Sequence, residues 1–333
     1  MSRIAFFVPL VFSVLLLLDP SASVESAREA LTLVSNNVIP GLFPFYVLSS
    51  LILSGPLPEK LPKRVRLPVF WALGALSGYP VGARIAGGLG LADRASGFNL
   101  AGIMFLSGTL GVGILHDQKL AWILCASHYA TSALFALLRP HGMRESADRL
   151  PPRPSPASFI EQIADGAFAM IRVGATIVFL KVLSDSVTRL PPFASHPILK
   201  TVAAGLIEMT NGCSSAAALP LPLAVRVGLC ASFVSFGGLA IFVQTLLVTS
   251  IPHPLRYLAE KLFLGFAAGL SACLLCRILI PSSICVSATI GLSDAVDNAI
   301  LSASFIGISA VGLLLSYLIS EFLRGTKSRR GHE

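Results

Sequence analysis

Apolar residues in this chain gather into long runs separated by short polar connections. Runs such as KLAWILCASHYATSALFALL (119–138), SFIEQIADGAFAMIRVGATIVFLKVL (158–183) and KLFLGFAAGLSACLLCRILI (261–280) reach the roughly 20 residues that an α-helix needs to cross a bilayer. VIPGLFPFYVLSSLIL (38–53), FNLAGIMFLSGTLGVGIL (98–115), GLCASFVSFGGLAIFVQTLLV (228–248) and ILSASFIGISAVGLLLSYLI (300–319) read as further crossings. The first run, IAFFVPLVFSVLLLL (4–18), precedes DPSAS and fits either a membrane helix or a signal peptide with a small-residue cleavage site.

Two runs stop halfway. LPVFWALGAL (67–76) meets GYPVGARIAGGLG (78–90) after about ten residues, and at 1.5 Å per residue that is about 15 Å, roughly the bilayer midplane. ILKTVAAGLIEM (198–209) meets TNGCSSAAALPLP (210–222), where Pro220 and Pro222 end any helix. Each is read as a re-entrant hairpin whose irregular backbone is shielded by protein or faces a polar cavity. Simple kinks at glycine and proline are the alternative.

With 54% hydrophobic and 13% charged residues and a mean hydropathy of +0.78, the composition is that of a polytopic membrane protein. The net charge of +8 does not point to nucleic acid, because the basic residues cluster in short connections: Lys60, Lys63, Arg64 and Arg66; Arg139, Arg144, Arg149 and Arg153; His253, Arg256 and Lys261; and the tail TKSRRGH. Counting crossings puts all of these on one side, which predicts a multi-pass cell-membrane protein with a cytoplasmic C-terminus. The six cysteines lie mostly inside apolar runs and are expected to pack as small hydrophobes, Cys273 and Cys276 included.

The expected fold class is therefore an all-α polytopic membrane protein built as an inverted-topology repeat with two re-entrant helical hairpins. Its parts are an N-terminal hydrophobic segment (1–28), a first repeat (29–138), a basic proline-rich cytoplasmic linker containing PPRPSP (139–157), a second, inverted repeat (158–280), and a C-terminal helix with a basic tail (281–333). Inverted halves with matched broken segments are the pattern of secondary transporters, which bind solute near the midplane where the breaks meet.

Breaking a helix in a membrane frees peptide groups that cost several kcal/mol each if left unpaired. Gly78, Gly82 and Gly212 would let backbone approach a solute, Tyr79 offers a ring face and a hydroxyl, and Arg84 can grip a carboxylate through two parallel bonds. Arg84 alternatively snorkels to the cytoplasmic surface. Glu208 is read as a cation or coupling-proton site, or as a partner for Lys200. Thr210, Asn211, Ser214, Ser215, Ser235 and Gln244 supply hydroxyl and amide groups. Lys181 is deep enough to need a partner that the sequence does not name. His128 is the one histidine inside an apolar run, no metal or paired-carboxylate motif appears, and Ser235 has no base near it in sequence, so an enzyme is not expected.

The segments LSGYPVGARIAGGL, EMTNG and VSFGGLAIFVQ resemble the YlbJ-type sporulation integral membrane proteins, which carry nucleoside-recognition ("Gate") domains related to the cores of concentrative nucleoside transporters. The resemblance covers roughly residues 30 to 280. It implies passage of a small anionic heteroaromatic compound, dipicolinate being the proposed cargo, across a membrane around the developing spore. Carried over residue by residue, it singles out Gly78, Tyr79, Pro80, Gly82 and Arg84 in the first break and Glu208, Thr210 and Gly212 in the second. The family usually has lysine where Arg84 stands, which keeps the charge and changes the geometry.

The expected partners are thus a small anionic or aromatic solute (dipicolinate- or nucleoside-like) and the lipid bilayer, with homo-oligomerisation left open. No cofactor is expected beyond a coupling ion, H+ or Na+. A membrane scaffold that recruits partners through the 139–157 loop, for spore envelope or cortex assembly, is the alternative.

Overall fold

The computed structural model describes residues 3–138 and 158–280. The 139–157 linker, with the scaffold role assigned to it, and everything from residue 281 on, including Cys285, the last apolar run and the basic tail, lie outside the described residues.

The protein is all-α and polytopic. Among the described residues there is no strand, and five helical stretches are long and apolar enough to cross a membrane: Pro20–Ser54, Gln118–Leu137, Phe159–Thr188, Leu223–Val248 and Pro254–Leu279.

Helix α1 (Arg3–Leu18) ends at Asp19, whose carboxylate accepts from the Ala22 N–H at 3.0 Å and starts α2 (Pro20–Leu33) with proline at its first position. A π-helical turn, Val34–Val38, joins α2 to α3 (Ile39–Ser54) without interruption. The second crossing is therefore much longer than its apolar run, and helix passes straight through the expected boundary at residue 28.

Next come α4 (Lys63–Ser77) and α5 (Val81–Gly88), separated by Gly78 at φ +84°. Then follow a short α6 (Ala95–Phe98), an extended stretch through Asn99–Gly102, a π-helical segment Phe105–Ile114, and α7 (Gln118–Leu137).

The second half repeats this order. Helix α8 (Phe159–Thr188) starts with a capping box in which Ser158 Oγ accepts from the Glu161 N–H and Glu161 accepts from the Ser158 N–H. The short α9 (Pro197–Ile207) and α10 (Met209–Ala217) are split at Glu208. Helices α11 (Leu223–Phe236) and α12 (Gly238–Val248) are split at Gly237, and α13 (Pro254–Leu279) closes the set.

Both half-length pairs are real, and glycines on either side of each break hold them together. A Cβ on Gly212 would fall 2.2 Å from Gly205 Cα, and one on Gly74 would fall 3.4 Å from Gly82 Cα. Each glycine pair also receives the next crossing segment: Phe233 lies on Gly205 and Gly212, and the Phe98–Asn99 backbone lies on Gly82. The close approach that Gly82 and Gly212 allow is made to this protein's own chain.

The runs 98–115 and 228–248, expected as straight crossings, are also broken. In the first, the backbone unwinds at Asn99–Gly102; in the second, Gly237 and Gly238 take φ of +87° and +69°. Leu100, Ala101 and Ile103 around the first and Phe236 and Leu239 around the second keep both runs apolar, so the apolar pattern hides the breaks.

A tight seam of small residues joins α11 to α13. Cβ atoms on Gly265 and Gly269 would meet Ser232 O at 2.9 Å and Ser232 Oγ at 1.9 Å, the close-backbone packing usual between membrane helices. The five described cysteines are free and buried, and Cys273 rests against Gly228 in this seam.

Candidate functional site

The two breaks converge. Gly78 ends α4 in a left-handed conformation that a side chain would strain, and a Cβ there would lie 2.9 Å from the Gly102 amide nitrogen. The hairpin turn of the first half therefore sits directly on the unwound stretch of the next segment. From it Tyr79 reaches across to the second half, where its hydroxyl donates to Val234 O at 2.9 Å. Glu208, 3% exposed, caps α10 by accepting from the Asn211 N–H at 2.9 Å.

Three peptide groups of the unwound stretch, the Asn99 and Ala101 carbonyls and the Ala101 N–H, are met by side chains. The Asn99 carbonyl accepts from Lys261 Nζ at 3.0 Å, and the same ammonium donates to Tyr79 Oη at 2.9 Å. The Ala101 carbonyl accepts from Tyr129 Oη at 2.9 Å, and the Ala101 N–H donates to His128 Nε2 at 3.0 Å. Asn99 Nδ2 donates to Thr245 Oγ1 and Tyr257 Oη, both at 2.8 Å. Groups that would cost several kcal/mol alone in hydrocarbon are thus paired within the chain.

His128 lies 2.6 Å from Ser235 Oγ through Nδ1, so Ser235 does have a histidine beside it, from an element far away in sequence. Because Nε2 accepts a peptide N–H, the ring proton sits on Nδ1 and points at the serine oxygen, leaving no free lone pair to take a proton from Ser235. The pair ties α7 to both broken segments. His128→Phe orphans the Ala101 N–H and the Ser235 hydroxyl and should lower the unfolding free energy by about 2–4 kcal/mol, read as a fall in melting temperature in detergent. The exposed His196→Phe should leave that temperature unchanged.

Between the breaks is a cavity of about 330 Å³. Ser77, Gly78, Tyr79, Ala101 and Gly102 line it from the first half, and Glu208, Met209, Thr210, Ile241 and Gln244 from the second. Asn36, Asn37 and Thr109 also line it, and Asn37 Nδ2 donates to Thr109 Oγ1 at 3.4 Å. Two of the lining residues, Ser77 and Gln244, are 3% and 1% exposed, and each has a buried polar atom, Ser77 Oγ and Gln244 Nε2, with no hydrogen-bond partner in the protein.

Of the expected site residues, Gly78, Tyr79, Glu208, Thr210 and Gln244 line this cavity. Pro80, Gly82, Gly212 and Ser235 are not among its lining residues: Gly82 packs on the Phe98–Asn99 backbone, Gly212 on Gly205 and Phe233, and Ser235 Oγ bonds His128. Asn211 turns the other way. Its amide donates to Asp185 Oδ1 at 2.8 Å and accepts from Lys181 Nζ at 3.1 Å, and Lys181 also pairs with Glu29 at 3.0 Å and Asp185 at 3.1 Å. Those are the partners Lys181 needed. Lys200 is exposed and does not pair with Glu208, whose carboxylate is turned to its cap. Arg84 lines a different cavity.

Lys261 and Asn99 were missed. Lys261 counted as a marker of the basic side, yet it is 1% exposed and bonded beneath the first break. Its register was the available signal: Tyr257, Lys261, Gly265, Ala268 and Ala272 fall on one helical face that is small or aromatic throughout and buried. Asn99 is the lone amide in its apolar run, three residues before Gly102, and it opens the unwound stretch.

Comparison with known proteins finds one kind of membrane protein. This chain is similar to the sporulation integral membrane protein YlbJ of Bacillus subtilis (strain 168), with 28% identity over 148 residues. The resemblance is to a YlbJ-type membrane protein. The match takes in 38% of this chain and 36% of that protein, so the chain spans about a third of the relative's length at that identity. No family model matches, and no solved structure matches.

Proposed function

We propose that this protein is a secondary carrier for a small heteroaromatic anion, which binds in the cavity between the two breaks. The observation that carries the reading is that Ser77 and Gln244, two lining residues from opposite halves of the cavity that Glu208 also lines, each hold a buried polar atom with no partner in the protein. A carboxylate or ring nitrogen would satisfy both donors, and Tyr79 supplies a flat surface beside them. Glu208 repels an anion when ionised and donates to it when protonated, so anion and proton are taken up together. The relative's name sets that protein in sporulation, and the same setting is proposed for this chain, with the basic connections on the cytoplasmic side.

Uptake of radiolabelled dipicolinate and uridine by proteoliposomes, under imposed proton or sodium gradients, tests the reading. The expected result is saturable dipicolinate uptake driven by a proton gradient. Glu208→Gln keeps an oxygen to cap α10 and removes the ionisable group, so it should fold normally and lose at least about tenfold of the gradient-driven rate. Absence of saturable uptake of either solute under every gradient would overturn the proposal.

A further inference from the structure

Arg84 lines a second cavity, of about 290 Å³, with Tyr46 of α3 and Asp165, Arg172 and Val173 of α8. Three elements place it relative to the first cavity. On the stretch from α2 to α3 the first cavity touches residues 33–42 and the second touches Tyr46; on α12 the first touches Ile241 and Gln244 and the second Leu247 and Val248. On α8, which enters with the opposite sequence order, the first touches Ile177 and Val173 and the second runs back from Val173 to Asp165. The second cavity is thus displaced in one consistent direction, toward the ends of α3 and α12 and the start of α8. Those ends adjoin the basic connections.

Val173 belongs to both linings. The two spaces therefore adjoin at that residue.

The second cavity is also built differently. Arg84 stacks over the Tyr46 ring, 4.3 Å from its centroid, and donates to Ser50 Oγ, which fixes the guanidinium in place. Arg172 joins it from α8, and Asp165 is the lone carboxylate on the wall. Among the described residues no ion pair ties either arginine to a carboxylate. The wall therefore carries two guanidiniums against one carboxylate and has an uncompensated positive charge.

We propose that Arg84 and Arg172 form a second, inner subsite for an anionic carboxylate, reached from the basic side and adjoining the first cavity at Val173. This rests on the carrier reading and gives that carrier a two-station path. The planar fork of Arg84 suits a carboxylate held through two bonds, and the inner station is where an anion waits after passing Val173 or before approaching it.

Introduced cysteines report each cavity in turn. Gly108→Cys lines the first, where a Cβ meets nothing within 4 Å, and Val248→Cys lines the second. The full chain in sealed vesicles of either orientation is treated with membrane-impermeant methanethiosulfonates bearing a sulfonate or a trimethylammonium group, the parent chain giving the background. The two cysteines should react from opposite faces, and Val248→Cys should favour the anionic reagent by about tenfold relative to Gly108→Cys. Arg84→Gln with Arg172→Gln should abolish that preference; Arg172→Gln alone, at an exposed position, should reduce it without risk to folding. Dipicolinate should slow modification of Val248→Cys only when both arginines are present. Reaction of both cysteines from one face, or a charge preference that survives the double substitution, overturns the inner site. A preference that follows the arginines while dipicolinate protects neither cysteine leaves the anion site standing and counts against the carrier.

Discussion

Gly212→Val is expected to leave almost no folded protein. The first added carbon would sit 2.2 Å from Gly205 Cα and 2.7 Å from Gly205 N. Both are backbone atoms of the facing half-helix and cannot rotate aside, so the hairpin must open, and opening it exposes peptide groups that hydrocarbon cannot satisfy. The cost exceeds the about 1–3 kcal/mol usual for overpacking, because a helix and not a side chain has to move. Gly82→Val meets the same obstacle in the first half, with Phe98 O at 2.0 Å. Gly41→Ala meets nothing within 4 Å and serves as the control. Size-exclusion profiles and melting temperatures in detergent should show aggregation for both valine variants and no change at Gly41. A monodisperse Gly212→Val protein melting near the wild type would mean that the α9–α10 pair is not held as described.

The same glycines show what a sequence does and does not disclose about such a fold. Breaks at Gly78–Pro80 and after Ile207 were legible because glycine, proline and polar residues arrive together, about ten residues into a run, and stop the apolar pattern outright. The breaks at Asn99–Gly102 and Gly237 were not, because Leu100, Ala101, Ile103 and Leu239 keep the run apolar on either side and glycine is common in membrane helices. Lys261 was masked for a related reason: a lysine five residues beyond Arg256 looks like part of a basic connection, and only helical register distinguishes the buried face from the surface one.

Arg84 carries a further lesson. It stands six residues past Gly78, so sequence adjacency put it in the same site as Tyr79, but α5 resumes at Val81 and its turn carries the side chain to Tyr46 and Ser50. Glu208 and Gln244, by contrast, are 36 positions apart and meet on one wall because both are a short distance from a break that points inward. Gly78, Tyr79 and Glu208, at the breaks themselves, line the cavity; where residues one or two helical turns beyond them fall depends on rotation about an axis that the apolar runs leave undefined.

Ser77→Ala and Gln244→Leu should separate binding from stability. In most buried sites, removing a polar group breaks a bond and destabilises the fold by about 1–3 kcal/mol. Here neither Ser77 Oγ nor Gln244 Nε2 has a partner in the protein, so those atoms contribute no internal bond that the substitutions could remove. Melting temperatures of the two single variants should therefore stay level or rise. Solute binding should respond in the opposite sense: each donor lost to a charged acceptor in a dry cavity is worth roughly 1.5–3 kcal/mol, or about 10- to 150-fold in apparent affinity, and the double variant should lose measurable uptake. Concentration dependence of dipicolinate uptake, set beside thermal unfolding of the same preparations, gives both quantities. If the variants melted early and transported normally, Ser77 and Gln244 would be structural groups, and the cavity between the breaks would lose its claim to be the binding site.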